Sequence, residues 1–471
     1  MQLIVIFRKI ILLSLVLVFF EGKSQDTQTP VTIRQITIEG NKHTKEPIIL
    51  RELSFNEGDT ISGEMLSHKI EKSRTNLINL NLFGKIVFNI KNWENDSLDI
   101  VISLTERNRF KFAPIFNLAD RNFNIWWTDQ NRSFKRVQGG ALIRFNNAFG
   151  LNHTIIGTAT FGFAQIFGLE YRMPYINKSK TLGAQYIFEF SQSKQVQYGT
   201  TNDKQDFFEG EKFVNRKIEL GTKLVLRPKI HNTNTFTASY LHYEVDNTLA
   251  NQHPTYLLNG RTTVNFFQIG YMYEIDLRDF RYFPKKGLYF RGEIQRNGFG
   301  IFKNDINLTR FSLSLSKYEQ IGKSQKHLFS HAAKIMLSGP EYQPYVIQRG
   351  MGFKQDFVRG NELFQIDGQR FLLIKNEYKY ALLDVKLNYL KKLKGKKLGY
   401  MPLSLYLGGH FDCGVVTDKA NSSTNSLRNK LIYGYGIGLN MVTFYDKVLR
   451  LEYSFNQDFN KGFYIHFEVP I

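Results

Sequence analysis

From Arg109 to Val469 the chain is written almost entirely in segments of about nine to twelve residues in which apolar and polar side chains alternate. Such alternation sends successive side chains to opposite faces of a strand, and ~9–11 residues is the length a tilted strand needs to cross a bilayer. In Leu308–Ser316, Phe311, Leu313 and Leu315 fall on one face and Arg310, Ser312 and Ser314 on the other. Tyr433, Tyr435, Ile437 and Leu439 alternate with Gly434, Gly436 and Gly438; a glycine row facing inward lets other chain approach the wall. A soluble β-sandwich would alternate too, so connection lengths must discriminate. They are alternately short, as at Asn147–Asn152 and Tyr445–Lys447, and long, as at Ser191–Phe213 and Val245–Arg261. Transmembrane barrels have short turns on one side and longer loops on the other, with an even strand number. About sixteen strands are expected here, which brings both barrel ends out on one side. The expected fold is mainly β: a C-terminal transmembrane antiparallel β-barrel over 107–471.

Composition agrees with that reading without compelling it. Hydrophobic residues make up 42%, aromatics reach 14%, and Phe alone numbers 41. Many aromatics without long apolar runs suit strands that face lipid on alternate residues. Residues 1–25 read as a signal peptide: Arg8 and Lys9 precede the apolar run Ile10–Phe20. That run is short of the ~20 residues of a membrane helix and fits a signal h-region. Cleavage is expected near Ser24 or Gln25. The one cysteine, Cys413, excludes both an intrachain disulfide and a lipid-anchoring cysteine at the cleavage site. The net charge of +20 favours anionic surfaces. For an exported chain these are lipid headgroups and not nucleic acid.

Residues 31–106 read as a small α/β domain of order β-α-α-β-β. Val31–Ile38 alternates, Glu39-Gly40-Asn41 turns, and Thr44 can cap a helix opening Lys45-Glu46-Pro47 with Ile48, Ile49 and Leu53 on its apolar side. A second helix after Thr60 or Ser62 carries Leu66, Ile70 and Leu77 at helical spacing. Phe83–Ile90 and Leu98–Leu104 complete the domain as strands.

Three constellations stand out against the alternation. The polar loop 341–370 contains Asp356-Phe357-Val358-Arg359-Gly360-Asn361, and the next two strands carry Glu377 and Asp412. Carboxylates facing a barrel interior are costly unless paired. An arginine on a loop folded inward can meet both with its two-pronged guanidinium. The second constellation is a turn, Asp276-Leu277-Arg278-Asp279 followed by Phe283-Pro284-Lys285-Lys286-Gly287. There Pro284 ends a strand and Gly287 permits positive φ. The third is the pair of terminal barrel strands. Pro114 in the first lacks a ladder donor, and the last runs through Gly462, Ile465 and Phe467 to Pro470. A seam poor in donors on both sides is expected to open most readily. A basic run, Lys386, Lys391, Lys392, Lys394, Lys396 and Lys397, is either a solvated turn or a site for anionic lipid or an acidic partner.

These residues resemble those of the outer-membrane assembly family that includes BamA, TamA and the two-partner secretion transporters. The likeness rests on several motifs: Val358-Arg359-Gly360; the D-x-R-D…P-x-x-G turn three strands earlier; and the Asn460, Gly462, Ile465, Phe467 spacing of a C-terminal β-signal. The domain at 31–106 resembles a single polypeptide-transport-associated (POTRA) domain through Ile36-x-Ile38-x-Gly40-Asn41, Arg51-Glu52-Leu53 and Leu82-Phe83-Gly84. Asn361 and Lys379 depart from the family's usual aromatic and arginine, and the chain ends Pro470-Ile471 instead of in an aromatic residue. The resemblance implies a location in the outer membrane of a Gram-negative bacterium with the N-terminal domain in the periplasm. It also implies that the loop arginine docks on acidic wall residues. The implied role is assistance in inserting β-barrel proteins into that membrane, or moving proteins across it, without nucleotide or cofactor. The implied partners are membrane lipids, unfolded clients met at the POTRA edge strand and the barrel seam, and accessory outer-membrane proteins. A secretion pore for one dedicated partner and a structural or lipid-handling barrel are the alternatives. No catalytic residue and no metal site is expected: the histidines form no His-x-x-x-His pair on a helix, Cys413 lacks a second thiol, and no Gly-x-Ser-x-Gly or phosphate-binding loop occurs.

Overall fold

A computed structural model describes residues 30–94, 96–177, 179–281, 283–353, 355–387, 401–419, 424–443 and 447–467. The signal peptide, the lysines at 391–397 and Pro470 lie outside the described residues. The N-terminal unit comprises β1 (Pro30–Glu39), α1 (Glu46–Leu50), β2 (Thr60–Ser62), α2 (Gly63–Asn79), β3 (Phe83–Glu94) and β4 (Ser97–Glu106). Its sheet runs β2-β1-β4-β3, with β1 and β4 parallel. Ile33, Ile48, Ile49, Leu77, Leu98, Ile100 and Ile102 are fully buried between sheet and helices. Two details differ from the sequence reading. A three-residue strand, β2, is inserted before α2 and covers only Pro30–Thr32 of β1. Thr44 does not cap α1, whose N-cap is Lys45 without a side-chain bond. Its hydroxyl instead donates to Glu106 Oε1 (2.5 Å) because the carboxylate is a stronger acceptor close at hand.

The barrel strands are β5 (Phe110–Leu118), β6 (Val137–Ala148), β7 (His153–Gly162), β8 (Ala164–Met173), β9 (Leu182–Ser193), β12 (Asn215–Lys229), β13 (Asn232–Val245) and β14 (Thr263–Asp276). They continue with β15 (Gly287–Asn297), β16 (Leu308–Ile321), β17 (His327–Gly339), β18 (Arg370–Leu387), β19 (Met401–Thr417), β20 (Leu431–Thr443), β21 (Lys447–Asn456) and β22 (Lys461–Phe467). Between β9 and β12 a loop hairpin, β10 (Gln195–Thr201) with β11 (Lys204–Glu209), stands apart as its own sheet. The sixteen strands are consecutive neighbours, all antiparallel, from β5 to β22. Each side chain's face is set by parity. Phe236, Tyr271, Ile294, Phe311 and Leu337 are paired strand to strand across β13–β17 and form one outward row. Four of them are 40–50% exposed to what would be lipid. Among the described residues no helix is long and apolar enough to cross a membrane.

The even strand number returns the chain to the side from which it entered, and there the N-terminal unit sits against the short turns. The Lys45 amide donates to Gly150 O (3.0 Å) and Asn147 Nδ2 to Thr44 Oγ1 (2.8 Å). Buried Glu52 accepts from Tyr175 Oη (3.2 Å) and Arg227 Nη1 (3.4 Å). At the opposite rim the long connections fold over one another: the Gln365 amide donates to Asp203 O and Asn425 Nδ2 to Gln365 O, both at 2.9 Å.

Candidate functional site

Residues 340–369 connect β17 to β18 and fold into the lumen, where Arg359 becomes the largest fully buried side chain. Two glycines make the approach possible. Gly360 has φ +89°, and a Cβ on it would lie 2.5 Å from Phe455 O. A Cβ on Gly434 would lie 1.8 Å from Arg359 O, so backbone rests on backbone at the glycine row of β20.

Arg359 Nε donates to Asp412 Oδ2 (2.7 Å) and Nη2 to Asp412 Oδ1 (2.8 Å), while its backbone amide reaches Oδ2 at 3.2 Å. The expected second carboxylate, Glu377, lies 3.5 Å from Nη1 as an ion pair without a hydrogen bond. The hydrogen bond from Nη1 goes instead to Glu452 Oε1 (3.3 Å), a residue of β21 that the sequence reading did not single out. Parity offered the signal: Arg450, Glu452, Ser454 and Asn456 alternate with Leu451, Tyr453 and Phe455. Lys379 Nζ lies 3.1 Å from Glu377, and Arg450 lies 3.7 Å from both Glu377 and Glu452. All these side chains are at most 12% exposed, so the charges are screened by one another and not by water.

A second missed layer surrounds the loop. Glu362 is buried, accepts from the Gly360 amide (2.8 Å), and lies 3.7 Å from His466 of β22. The connection 119–136, which carries the short helix α3 (Phe123–Thr128), clamps the loop from outside. Arg121 donates to Gly352 O, to Phe364 O (3.0 Å) and to Leu363 O (3.3 Å), and Asn122 donates to Glu362 O (3.0 Å). Burial lowers the Arg121 guanidinium to about 10.

The turn between β14 and β15 is tied by its acids. Arg278 grips Asp276 through Nε (2.8 Å) and Nη2 (2.9 Å), and Asp279 Oδ1 accepts from the amides of Phe280 and Lys285 (2.9 Å) and of Lys286 (3.3 Å). Pro284 is buried, and Gly287 has φ +113° with Leu277 O at 2.2 Å from where a Cβ would stand. Phe283 points inward against Tyr406, ring centroids 4.7 Å apart, and Lys379 Nζ lies 5.2 Å from the Phe283 ring centroid. Lys379 therefore links the turn to Glu377, the wall carboxylate that also pairs with Arg359 of the loop.

The seam residues stay apart from the arginine. Pro114 pairs with Ala141, Gly462 with Ser454, Ile465 with Leu451 and Phe467 with Leu449. Those are the inner neighbours of β5 and β22. Among the described residues no ladder joins β5 to β22, so the barrel is not sealed by continuous pairing as a fully closed cylinder would be. The structure adds that α3 packs on β22 beside this gap.

The fold and site define a sixteen-stranded antiparallel β-barrel with one small α/β domain at its N-terminal end. Residues 147–371 match the Omp85 superfamily domain and 31–107 the POTRA domain described as a surface antigen variable number repeat. The chain thus carries an Omp85 superfamily domain preceded by a single POTRA domain. It shares its fold with BamA from Haemophilus ducreyi lacking POTRA domains 1–3, at 13% identity and a TM-score of 0.55, over 93% of this chain and 83% of that one. CdiB from Escherichia coli is similar at 14% identity and a TM-score of 0.54, over 94% and 76%. No curated protein matches the chain.

Proposed function

We propose that this protein inserts or assembles client β-barrel proteins in the outer membrane of a Gram-negative bacterium by lateral opening between β5 and β22. The observation that carries this reading is that, among the described residues, no ladder joins those two strands. Unpaired strand edges in lipid are costly, and a client strand that adds to them satisfies its own backbone groups at the same time. On this reading the chain divides into a periplasmic domain at 31–106 and a barrel at 107–471 with the inward loop 341–370. The sheet boundaries at Glu106 and Phe110 support that division. The edge strand β3 offers clients a first backbone partner: it is twelve residues long, carries exposed Ile90 and Trp93, and among the described residues pairs only with β4. The work needs no enzymatic group or cofactor. Arg359, Gly360, Glu377 and Asp412 hold the loop; Asp276, Arg278, Asp279, Pro284 and Gly287 fix the turn; Pro114, Gly462, Ile465, Phe467 and Pro470 form the seam.

Secretion of one dedicated partner through the lumen is the second reading. It is favoured by a cavity of about 580 Å³ between loop and wall, bordered by Arg121, Arg310, Lys334 and Arg349. Cysteine pairs scanned between 110–116 and 461–465, with Cys413→Ala as background, distinguish the two. An insertase stops assembling a reporter barrel when oxidised and recovers on reduction. Normal activity in the locked state would reject lateral opening and leave the lumenal route.

A further inference from the structure

We infer that Glu362, Glu452 and His466 form a binding site for a divalent transition-metal ion, of which zinc is the representative. The site is absent from the linear spacing because its three donors come from three elements: the inward loop, β21 and β22. One ligand atom from each of Glu362, Glu452 and His466 lies within 4.8 Å of the other two; the unpartnered atoms are Glu362 Oε1, Glu452 Oε2 and His466 Nε2. The two glutamate side chains are 0% and 1% exposed and the histidine 11%. None of the three atoms has a hydrogen-bond partner among the described residues.

The distances favour an ion over a simple bridge by the imidazolium. Nε2 is 3.3 Å from Glu452 Oε2 and 3.7 Å from Glu362 Oε1. A charge-assisted N–H···O bond would bring these atoms to ~2.7–2.9 Å. Donors around a tetrahedral ion with bonds of ~2.0–2.2 Å stand about 3.4 Å apart instead. One imidazole and two carboxylates suit zinc-like ions and leave a fourth position open.

The surroundings orient each ligand as metal sites require. The Gly360 amide holds Glu362 through its other oxygen (2.8 Å), and Arg359 Nη1 holds Glu452 through its other oxygen (3.3 Å). The Phe357 ring stacks on His466, centroids 5.8 Å apart. A bound ion would bolt the last barrel strand to the inward loop, so the strand that borders the seam and the Arg359 cluster would be fastened at one point.

The test uses the full-length protein in detergent, stripped with a chelator and then offered zinc or cobalt(II). The expected result is one zinc retained per chain by elemental analysis and a visible cobalt absorption of low-coordinate type. Glu362→Gln and His466→Gln should each weaken zinc binding at least about tenfold, and zinc should raise the melting temperature of the unmutated protein but not of Glu362→Gln. Failure to retain stoichiometric zinc overturns the inference. So does unchanged binding in both variants, which would mean that other histidines hold the ion. His466 lies in the last strand, where a substitution can impair folding. Glu362→Gln lies in the loop, outside the sheet, and decides the matter alone if needed. The cobalt spectrum of the unmutated protein decides it without any variant: an octahedral spectrum would reject the site.

Discussion

Arg359 and Asp412, fifty-three residues apart in sequence, form a two-pronged ion pair at 2.7 and 2.8 Å that is shut away from solvent inside the barrel. Removing the guanidinium leaves Asp412 buried without its cation, at a cost on the order of 3–5 kcal/mol. Arg359→Ala should therefore lower the melting temperature and expose 340–369 to protease. Arg359→Lys keeps the charge but loses the fork, and should fall between. An Arg359→Ala barrel whose loop resists protease as before would refute the lock.

Gly434 tests the same docking from the wall side. Its substitution by alanine puts a methyl group where Arg359 O now stands, whereas Gly409 on β19 has nothing nearer than 3.6 Å. Overpacking of this kind costs ~1–3 kcal/mol. Gly434→Ala should loosen the loop and Gly409→Ala should not, as read by hydrogen exchange across 355–365. Equal protection in the two variants would mean that the loop does not depend on this contact.

Glu106 makes the junction between the α/β domain and the barrel sensitive to acid. Burial raises its pKa. The Thr44 hydroxyl and the Thr44 and His43 amides outweigh that and hold it below the usual carboxylate value. With the folded pKa depressed, the stabilisation is present above the unfolded value near 4.5 and lost as pH falls through the folded one. Thr44 also accepts from Asn147 of the barrel, so protonation should loosen the docking. Spin labels across the junction should report a broader distance distribution as the pH is lowered past that unfolded value and through the folded one. Glu106→Gln should show that breadth at neutral pH.

Asp279 accepts three backbone amides in one turn, so Asp279→Ala should slow barrel formation more than Asp276→Ala, which loses ion pairs with Arg278 and Arg281 and a single backbone amide. Hydrogen bonds to a charged group are worth ~1.5–3 kcal/mol each. Folding into detergent, followed by heat-modifiable gel mobility, measures the difference. Equal rates would remove the turn from any role in setting register.

What the sequence determined by itself was parity. Alternation is local, so it assigns Glu377, Asp412 and the glycines at 434, 436 and 438 to the lumen without reference to any other strand. It also supplied an arginine that had to find carboxylates, and an even strand number. Tertiary structure decided which carboxylates. Glu452, Glu362 and His466 reach the cluster through the accumulated register of β18 to β22 and the depth to which the loop descends. Those quantities depend on curvature summed over many strands, and no local pattern encodes them. The same holds for Thr44, which reads as a helix cap in sequence until Glu106 is brought beside it. It also holds for the β5–β22 edge, because whether a ladder joins two strands some 350 residues apart is decided only by the course of the whole sheet, and among the described residues none does.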